Sequence, residues 1–333
     1  MSQPKHLAIV GATGAVGQEM LNCLEQRQFP VASLKLLASA RSKGKCIPFH
    51  GEQLVVEELT PESFEGVEIA LFSAGGGISK DFAKYAVDAG ALVIDNSSTF
   101  RMDEGVPLVI PEINAEAAKS HSGIIANPNC TTIVTLMGLN PLHRKWTAQK
   151  IVAASYQAVS GSGAAGIAEL DAQVKAIHSG SKVQPKVYPH QIAFNVIADI
   201  GGVGENGYTS EEMKMQNEGR KILGHGELAA SVTCVRVPVY KSHSIAAWVQ
   251  FEETPDVEEA RELIEKAEGV QLVDDRQLGR YPTPLDSTDG DDCLVGRIRR
   301  DLVFENGLSF WVVGDQVRKG AALNAVQIAE LFV

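Results

Sequence analysis

Residues 6–26, "HLAIVGATGAVGQEMLNCLEQ", open on a short apolar run, pass through a glycine-rich turn, and continue with Val16, Met20, Leu21 and Leu24 at helical spacing. The stretch reads as strand, turn, helix. Gly11, Gly14 and Gly17 form a GxxGxxG pattern at the mouth of that helix. Glycines there let the backbone turn tightly and approach a pyrophosphate, whose charge is met by backbone N–H groups and the helix N-terminus. At the first βα junction of an alternating domain the pattern points to a dinucleotide, with Gly11, Thr13, Gly14, Ala15, Val16 and Gly17 as its contacts.

Further apolar runs follow at "SLKLLAS", "VEIALFSAGG" and "ALVIDNSS", interleaved with helix-like stretches such as "SKDFAKYAVDAG". Alternation of this kind predicts a parallel sheet flanked by helices. From about Lys150 the texture changes to strands such as "KIVAASYQAV", "SVTCVRVPV", "SIAAWVQFEE" and "LSFWVVGD". A mixed or antiparallel sheet is expected, one face carrying a site and the other packed on helices. The closing "KGAALNAVQIAELFV" has helical spacing and is expected to return to the first domain.

The 333 residues carry a net charge of −11, and the 30 Lys and Arg residues are scattered, which argues against a nucleic-acid surface or a polybasic membrane anchor. No run approaches the roughly 18 apolar residues of a membrane span, and the start resembles no leader. The five cysteines, Cys23, Cys46, Cys130, Cys234 and Cys293, are odd in number and form no CxxC pair, so no disulfide scaffold or metal site is expected. A reducing, cytoplasmic setting follows.

The end of the second strand separates NAD from NADP, because an acid there would bond the ribose 2′-hydroxyl and repel a 2′-phosphate. "LLASARSKGK" has no acid. Ser39, Arg41 and Ser42 offer hydroxyls and a guanidinium suited to a phosphate monoester, so NADP is expected.

In "GIIANPNCTTIVT", Pro128 keeps Asn127 out of the helical region, and Asn129 or the threonines can cap the helix that follows. A thiolate at that helix start would be stabilised by the dipole and free N–H groups, making Cys130 a candidate nucleophile. His243, where a strand meets a polar turn in "CVRVPVYKSHSIAAW", is the candidate proton acceptor. Arg236 stands among valines, where a charge is costly unless it meets an anion.

The ordered set "GATGAVG", "SSTFR", "NPNCTT", "YQAVSGSGAAG", "QIAFNVI", "YTSEEMKMQNEGRKIL", "RVPVYKSHS" and "VRKGAALNAVQIAE" spans almost the whole chain and resembles the aspartate-semialdehyde dehydrogenases. The resemblance implies a Rossmann-type parallel-sheet domain, residues 1–128 with 315–333, that binds NADP. It pairs this with an α+β catalytic and dimerisation domain, residues 129–314, with a mixed sheet as in glyceraldehyde-3-phosphate dehydrogenase. Cys130 is then similar to the acyl-thioester nucleophile and His243 to the acid/base. Gln157 holds the substrate near the thiol, Arg236 grips its α-carboxylate and Glu211 faces its α-ammonium, with Asn129 beside them. Arg101 and Lys214 match the phosphate pair, while Ser160 and Gly161 match cofactor contacts. Where family members often read "ADNLRKGAA", this chain has Gly314, Asp315, Gln316 and Val317, and Gln316 is expected to reach the cofactor through an amide one methylene longer.

The implied reaction is the NADP-linked, reductive dephosphorylation of L-4-aspartyl phosphate to L-aspartate 4-semialdehyde, in the route to lysine, methionine and threonine, by a homodimer. The alternatives are an N-acetylglutamyl-phosphate reductase or glyceraldehyde-3-phosphate type of enzyme, and a non-catalytic NADP-binding homologue. Arg236 with Glu211 favours a free amino-acid head group over an N-acetylated one, and the presence of both Cys130 and His243 opposes a silent homologue.

Overall fold

β1 (Lys5–Val10) is buried over its last four residues and runs through the glycine turn into α1 (Ala15–Gln26), which buries Met20, Leu21 and Leu24. The computed structural model describes residues 3–333, which divide into two units, 3–129 with 321–333 and 130–320.

In the first unit β2 (Val31–Ala38), β3 (Cys46–Phe49), β4 (Glu52–Glu58), β5 (Ile69–Phe72), β6 (Leu92–Asp95) and β7 (Ile124–Ala126) join β1. The seven-stranded sheet has the order β3-β4-β2-β1-β5-β6-β7, antiparallel only at β3/β4. β5 and β6 are apolar almost throughout and fully buried, as strands covered on both faces must be. Leu7, Ile9, Met20 and Leu24 form the core on the α1 face. Val10, Phe64, Phe72 and Ala83 form the other, under α2 (Gly76–Asp88). The chain leaves through a short α3 (Pro111–Asn114) and β7.

The second unit contains α4 (Cys130–Trp146), β8 (Ala148–Gln157), α5 (Gly163–His178), α6 (Ser210–Leu223), β9 (Ala229–Arg236), β10 (His243–Phe251), α7 (Val257–Glu265), β11 (Val270–Leu272), α8 (Pro284–Ser287), β12 (Cys293–Arg300) and β13 (Gly307–Gly314). Its mixed sheet has the order β11-β12-β13-β10-β8-β9, parallel at β8/β9 and β11/β12. α4 is buried along most of its length and lies close on the sheet, since a Cβ at Gly138 would stand 3.2 Å from Val295. On β8 the faces alternate from Ile151 onward: Ile151, Ala153, Ser155 and Gln157 are buried, while Val152 and Tyr156 are exposed on the opposite face.

α9 (Leu323–Glu330) belongs to the first unit, where Glu330 pairs with Arg27 at 2.6 Å. The second crossing falls at Gly320/Ala321 rather than at the expected 314/315, because Asp315 and Gln316 accept backbone N–H bonds from Asp289 and Ser242 of the second unit.

Candidate active site

Register gathers the site in the second unit. β8 and β9 are parallel, and their last residues, Gln157 and Arg236, are directly paired. β10 is antiparallel to β8, so its first residue, His243, begins where β8 ends, beside the Ser244–Tyr156 pair. Three side chains far apart in sequence thus share one end of the sheet.

Cys130 is the first residue of α4 and is half-buried. Gly320 lies against it: a Cβ there would stand 3.0 Å from the Cys130 Cβ, a tight contact that the neighbour would have to relieve by a few tenths of an ångström. The other buried thiol nearby, Cys234, is pushed up to about 12, by burial above all and by Glu211 and Glu212. A thiol that resists ionisation is a poor nucleophile, so Cys234 is inert.

Gln157 is buried, and its Nε2 donates to Thr131 Oγ1 at 2.9 Å, Ser155 Oγ at 3.3 Å and Glu211 Oε1 at 3.5 Å. Its amide nitrogen thus reaches α4, β8 and α6 at once. Glu211 and Lys214 share one face of α6, as their spacing predicts, and pair at 2.6 Å.

Arg236 is buried, with Nη1 donating to the Ala158 carbonyl at 2.7 Å and the guanidinium over the Tyr188 ring, 5.9 Å from its centroid. Its Nε has no hydrogen-bond partner among the described residues. A buried guanidinium left partly unsatisfied is poised for an anion. Gly161 explains the glycine in "SGSGAAG": a Cβ there would lie 2.7 Å from Arg236 Nη1 and 3.5 Å from His243 Nε2.

His243 is fully buried, with Nδ1 accepting the Ala158 N–H at 3.2 Å. Its Nε2 has no partner among the described residues. Burial, then the Arg236 charge, holds the imidazole well below its ordinary value. Ser242, just before it, has φ +70, and its N–H is held by Gln316 Oε1 at 2.7 Å. Gln316 Nε2 donates in turn to Ser160 Oγ. Both ends of the Gln316 amide are used inside the second unit.

In the first unit, Gly11 has φ +90, and a Cβ on it would meet the Ser73 backbone at 2.9 Å. A Cβ on Gly17 would lie 2.3 Å from the Gly11 carbonyl, so helix and turn approach only without side chains. A cavity of 460 Å³ opens beside them, lined by Gly11, Thr13, Gly14, Ser39, Ser73 and Ala74. It sits at the β1/β5 boundary where strand order reverses, the usual place for a nucleotide. Ala15 and Val16 begin α1, Ser42 lies 3.5 Å from Thr13 by their hydroxyls, and Arg41 is exposed. Arg101 is buried and donates to the Asn127 and Asn96 carbonyls at 2.9 and 2.8 Å, and Asn129 is buried at the end of the unit.

Sequence reasoning missed Thr131, Ser155, Ala158, Ser242 and Gly320, which position the reacting groups. Thr131 follows Cys130 directly and Ala158 follows Gln157, but the backbone amide of an alanine carries no residue-type signal. Nor did it find Asn324, which donates to Asn127 Oδ1 at 2.6 Å and braces the Asn-Pro-Asn loop.

A glycine-cradled α/β unit joined to a unit with a helix-start cysteine, a buried histidine and a partly unsatisfied buried arginine has the make-up of a dehydrogenase of carbonyl compounds. Residues 6–121 match the family model "Semialdehyde dehydrogenase, NAD binding domain", and residues 139–319 match "Semialdehyde dehydrogenase, dimerisation domain". Relatives named aspartate-semialdehyde dehydrogenase are 50% identical in Synechocystis sp., over 100% of this chain and 98% of that one, and 51% identical in Aquifex aeolicus, over 98% and 97%. The crystal structure of aspartate semialdehyde dehydrogenase II complexed with ASA from Vibrio cholerae has a TM-score of 0.97 and 44% identity, covering 99% of this chain and 98% of that one. The chain belongs to the aspartate-semialdehyde dehydrogenase family.

Proposed function

We propose that the enzyme reduces L-4-aspartyl phosphate to L-aspartate 4-semialdehyde with NADPH, through a thioester on Cys130. The observation carrying this reading is the meeting of Gln157, Arg236 and His243 at one end of the mixed sheet. Arg236 takes the α-carboxylate, and Glu211, part-buried beside Gln157, meets the α-ammonium. An N-acetyl head group has no charge for Glu211, which disfavours the N-acetylglutamyl alternative. Arg101 and Lys214 supply the positive charge for phosphate in an acidic chain, and Asn129 adjoins the nucleophile.

The glycine cradle fits a dinucleotide, and Ser39, Arg41 and Ser42 at the end of β2 carry no acid, which favours NADP over NAD. The bound cofactor supplies the hydride that reduces the thioester carbon. Thiolate attack is aided by the positive end of the α4 dipole at Cys130, which also favours the negative charge gathering on the substrate oxygen. His243 acts as the acid/base and supplies the proton as the hemithioacetal collapses. Ser160 and Gly161 are the cofactor contacts contributed by the second unit, Gly161 beside His243 and Ser160 bonded to Gln316.

A homodimer through the open face of the mixed sheet, where Val152 and Tyr156 are exposed, suits the dimerisation family model. Among the described residues no helix is long and apolar enough to cross a membrane and the five cysteines form no disulfide, which suits the cytoplasm and a place in lysine, methionine and threonine biosynthesis. The test follows NADPH absorbance as the protein meets aspartate semialdehyde, phosphate and NADP, with N-acetylglutamate semialdehyde and NAD alongside. Signal requiring phosphate and the free amino-acid aldehyde is expected; equal rates without phosphate, or with the N-acetylated aldehyde, would overturn the assignment.

A further inference from the structure

We propose that Tyr188 is the positioning residue of Arg236, its ring holding the guanidinium in place for the substrate carboxylate while leaving the N–H donors to that carboxylate. The inference rests on the assignment of Arg236 to the α-carboxylate and names the group that keeps it there.

Residues 186–197 belong to no helix or sheet strand, and a segment of that kind needs its backbone groups satisfied by neighbours. Glu169 on α5, itself buried, accepts the N–H of Lys186 at 2.9 Å, that of Val187, and that of Tyr188 at 3.4 Å. Gln173, one turn further along the helix, accepts those of Ile192 and Ala193 at 2.8 and 3.0 Å. Ile197 then exchanges backbone N–H···O bonds with Arg236 itself, at 3.0 and 2.8 Å. The segment therefore begins on α5 and ends on the arginine. Tyr188, Ile192, Ala193 and Ile197 pack with Val159 and Leu170 in one buried cluster, which fixes its course between those ends.

The Tyr188 side chain is held at its far end as well. Its hydroxyl donates to the Val159 carbonyl at 3.1 Å. Gly166 on α5 leaves room for this bond, since a Cβ there would stand 2.5 Å from the hydroxyl oxygen, and so the last glycine of "SGSGAAG" acquires a reason. With the ring anchored, the Arg236 guanidinium carbon lies 5.9 Å from its centroid, inside the roughly 6 Å reach of a cation–π contact. Both residues are buried, where such a contact is strongest. The bond from Nη1 to the Ala158 carbonyl fixes one corner of the guanidinium and lets the rest swing. A ring removes that freedom without using a donor or neutralising the charge, whereas a carboxylate would do both. Nε, which has no partner among the described residues, stays available to a substrate anion.

The experiment varies the electron density of the ring at constant shape. Tyr188→Phe removes the hydroxyl and keeps the ring. The same ring carrying one, three or five fluorines, introduced at this position by amber suppression, keeps nearly the same size and drains its negative face, so the buried cluster remains packed. Phosphate-dependent NADPH formation is followed against aspartate semialdehyde concentration. KM for the aldehyde should lie within about threefold of wild type in Tyr188→Phe and climb with fluorine number to roughly 3–30-fold, with kcat and the NADP dissociation constant unchanged. A KM indifferent to fluorine number overturns the proposal, as does a loss confined to kcat. A Phe variant as impaired as the five-fluorine ring also overturns it, because the hydroxyl would then be what holds the arginine. Arg236→Lys on the same assay separates the two levels. Raised KM there with a flat fluorine series defeats this inference alone, and unchanged KM there removes the carboxylate assignment beneath it.

Discussion

Gly320 packs on Cys130 so closely that a single added carbon would stand 3.0 Å from the Cys130 Cβ. In Gly320→Ala the α4 start or the 318–322 turn has to give by a few tenths of an ångström. A displacement of about 1 Å costs roughly 10²-fold in rate when reacting atoms are pre-positioned, and a smaller one costs less. Turnover should drop by up to about tenfold with the NADP dissociation constant unchanged; an Ala variant with wild-type kcat would show that the turn yields freely.

Cys130→Ala should abolish turnover while NADP still binds, as followed by fluorescence titration and by NADPH formation. Alkylation gives the companion test. Iodoacetamide should inactivate by labelling Cys130, and Cys46, which is exposed, should react without effect. Cys234, its thiol held near 12 by burial, should remain unmodified.

Gly161→Ala would place a carbon 2.7 Å from Arg236 Nη1. The expected result is a raised KM for the aldehyde, as the guanidinium loses its place on the Ala158 carbonyl. Arg236→Lys should share this defect, since an ammonium cannot reproduce the planar fork. Unchanged substrate KM in both variants would remove Arg236 from substrate binding.

Arg41→Ala should weaken NADP by roughly 10–100-fold, the loss of one or two charge-assisted hydrogen bonds, and leave NAD affinity as it was. Equal losses for both nucleotides would assign Arg41 to the fold or to the shared pyrophosphate instead.

Acid should destabilise the protein from about pH 6.5 downward. His243 is held neutral by burial and Arg236, and His143 by burial and His225, whose ring centroid is 5.9 Å away. Both folded values lie below the unfolded one, so the unfolded chain binds more protons as pH falls through the ordinary imidazole range. Their contribution is complete above that range and declines below it. Tm measured against pH should show this slope, and His143→Gln should flatten part of it; a Tm indifferent to pH there would contradict the assignment.

Much of the architecture was legible because its signals are local. Strand, glycine turn and helix around Gly11–Gly14–Gly17 follow from hydrophobic period and the steric freedom of glycine. Cys130 at the start of α4 follows from Pro128 and the apolar spacing beyond it, and the Glu211–Lys214 pair from helical geometry alone. The missing acid after the second strand is likewise a local fact. The reach of Gln316 could not be read in the same way: its partners, Ser242 and Ser160, are distant in sequence, and nothing in its neighbours announces them.

By itself the sequence determined the elements, the two kinds of sheet and the residue types available for covalent chemistry, since periodicity and backbone preference act over a few residues. Only the tertiary structure decided that Gln157 pairs with Arg236, that the Ala158 amide meets His243 Nδ1, and that Gly320 presses on Cys130. Those contacts depend on strand register and on backbone groups, which every residue carries alike and which acquire an identity only when the sheet aligns them.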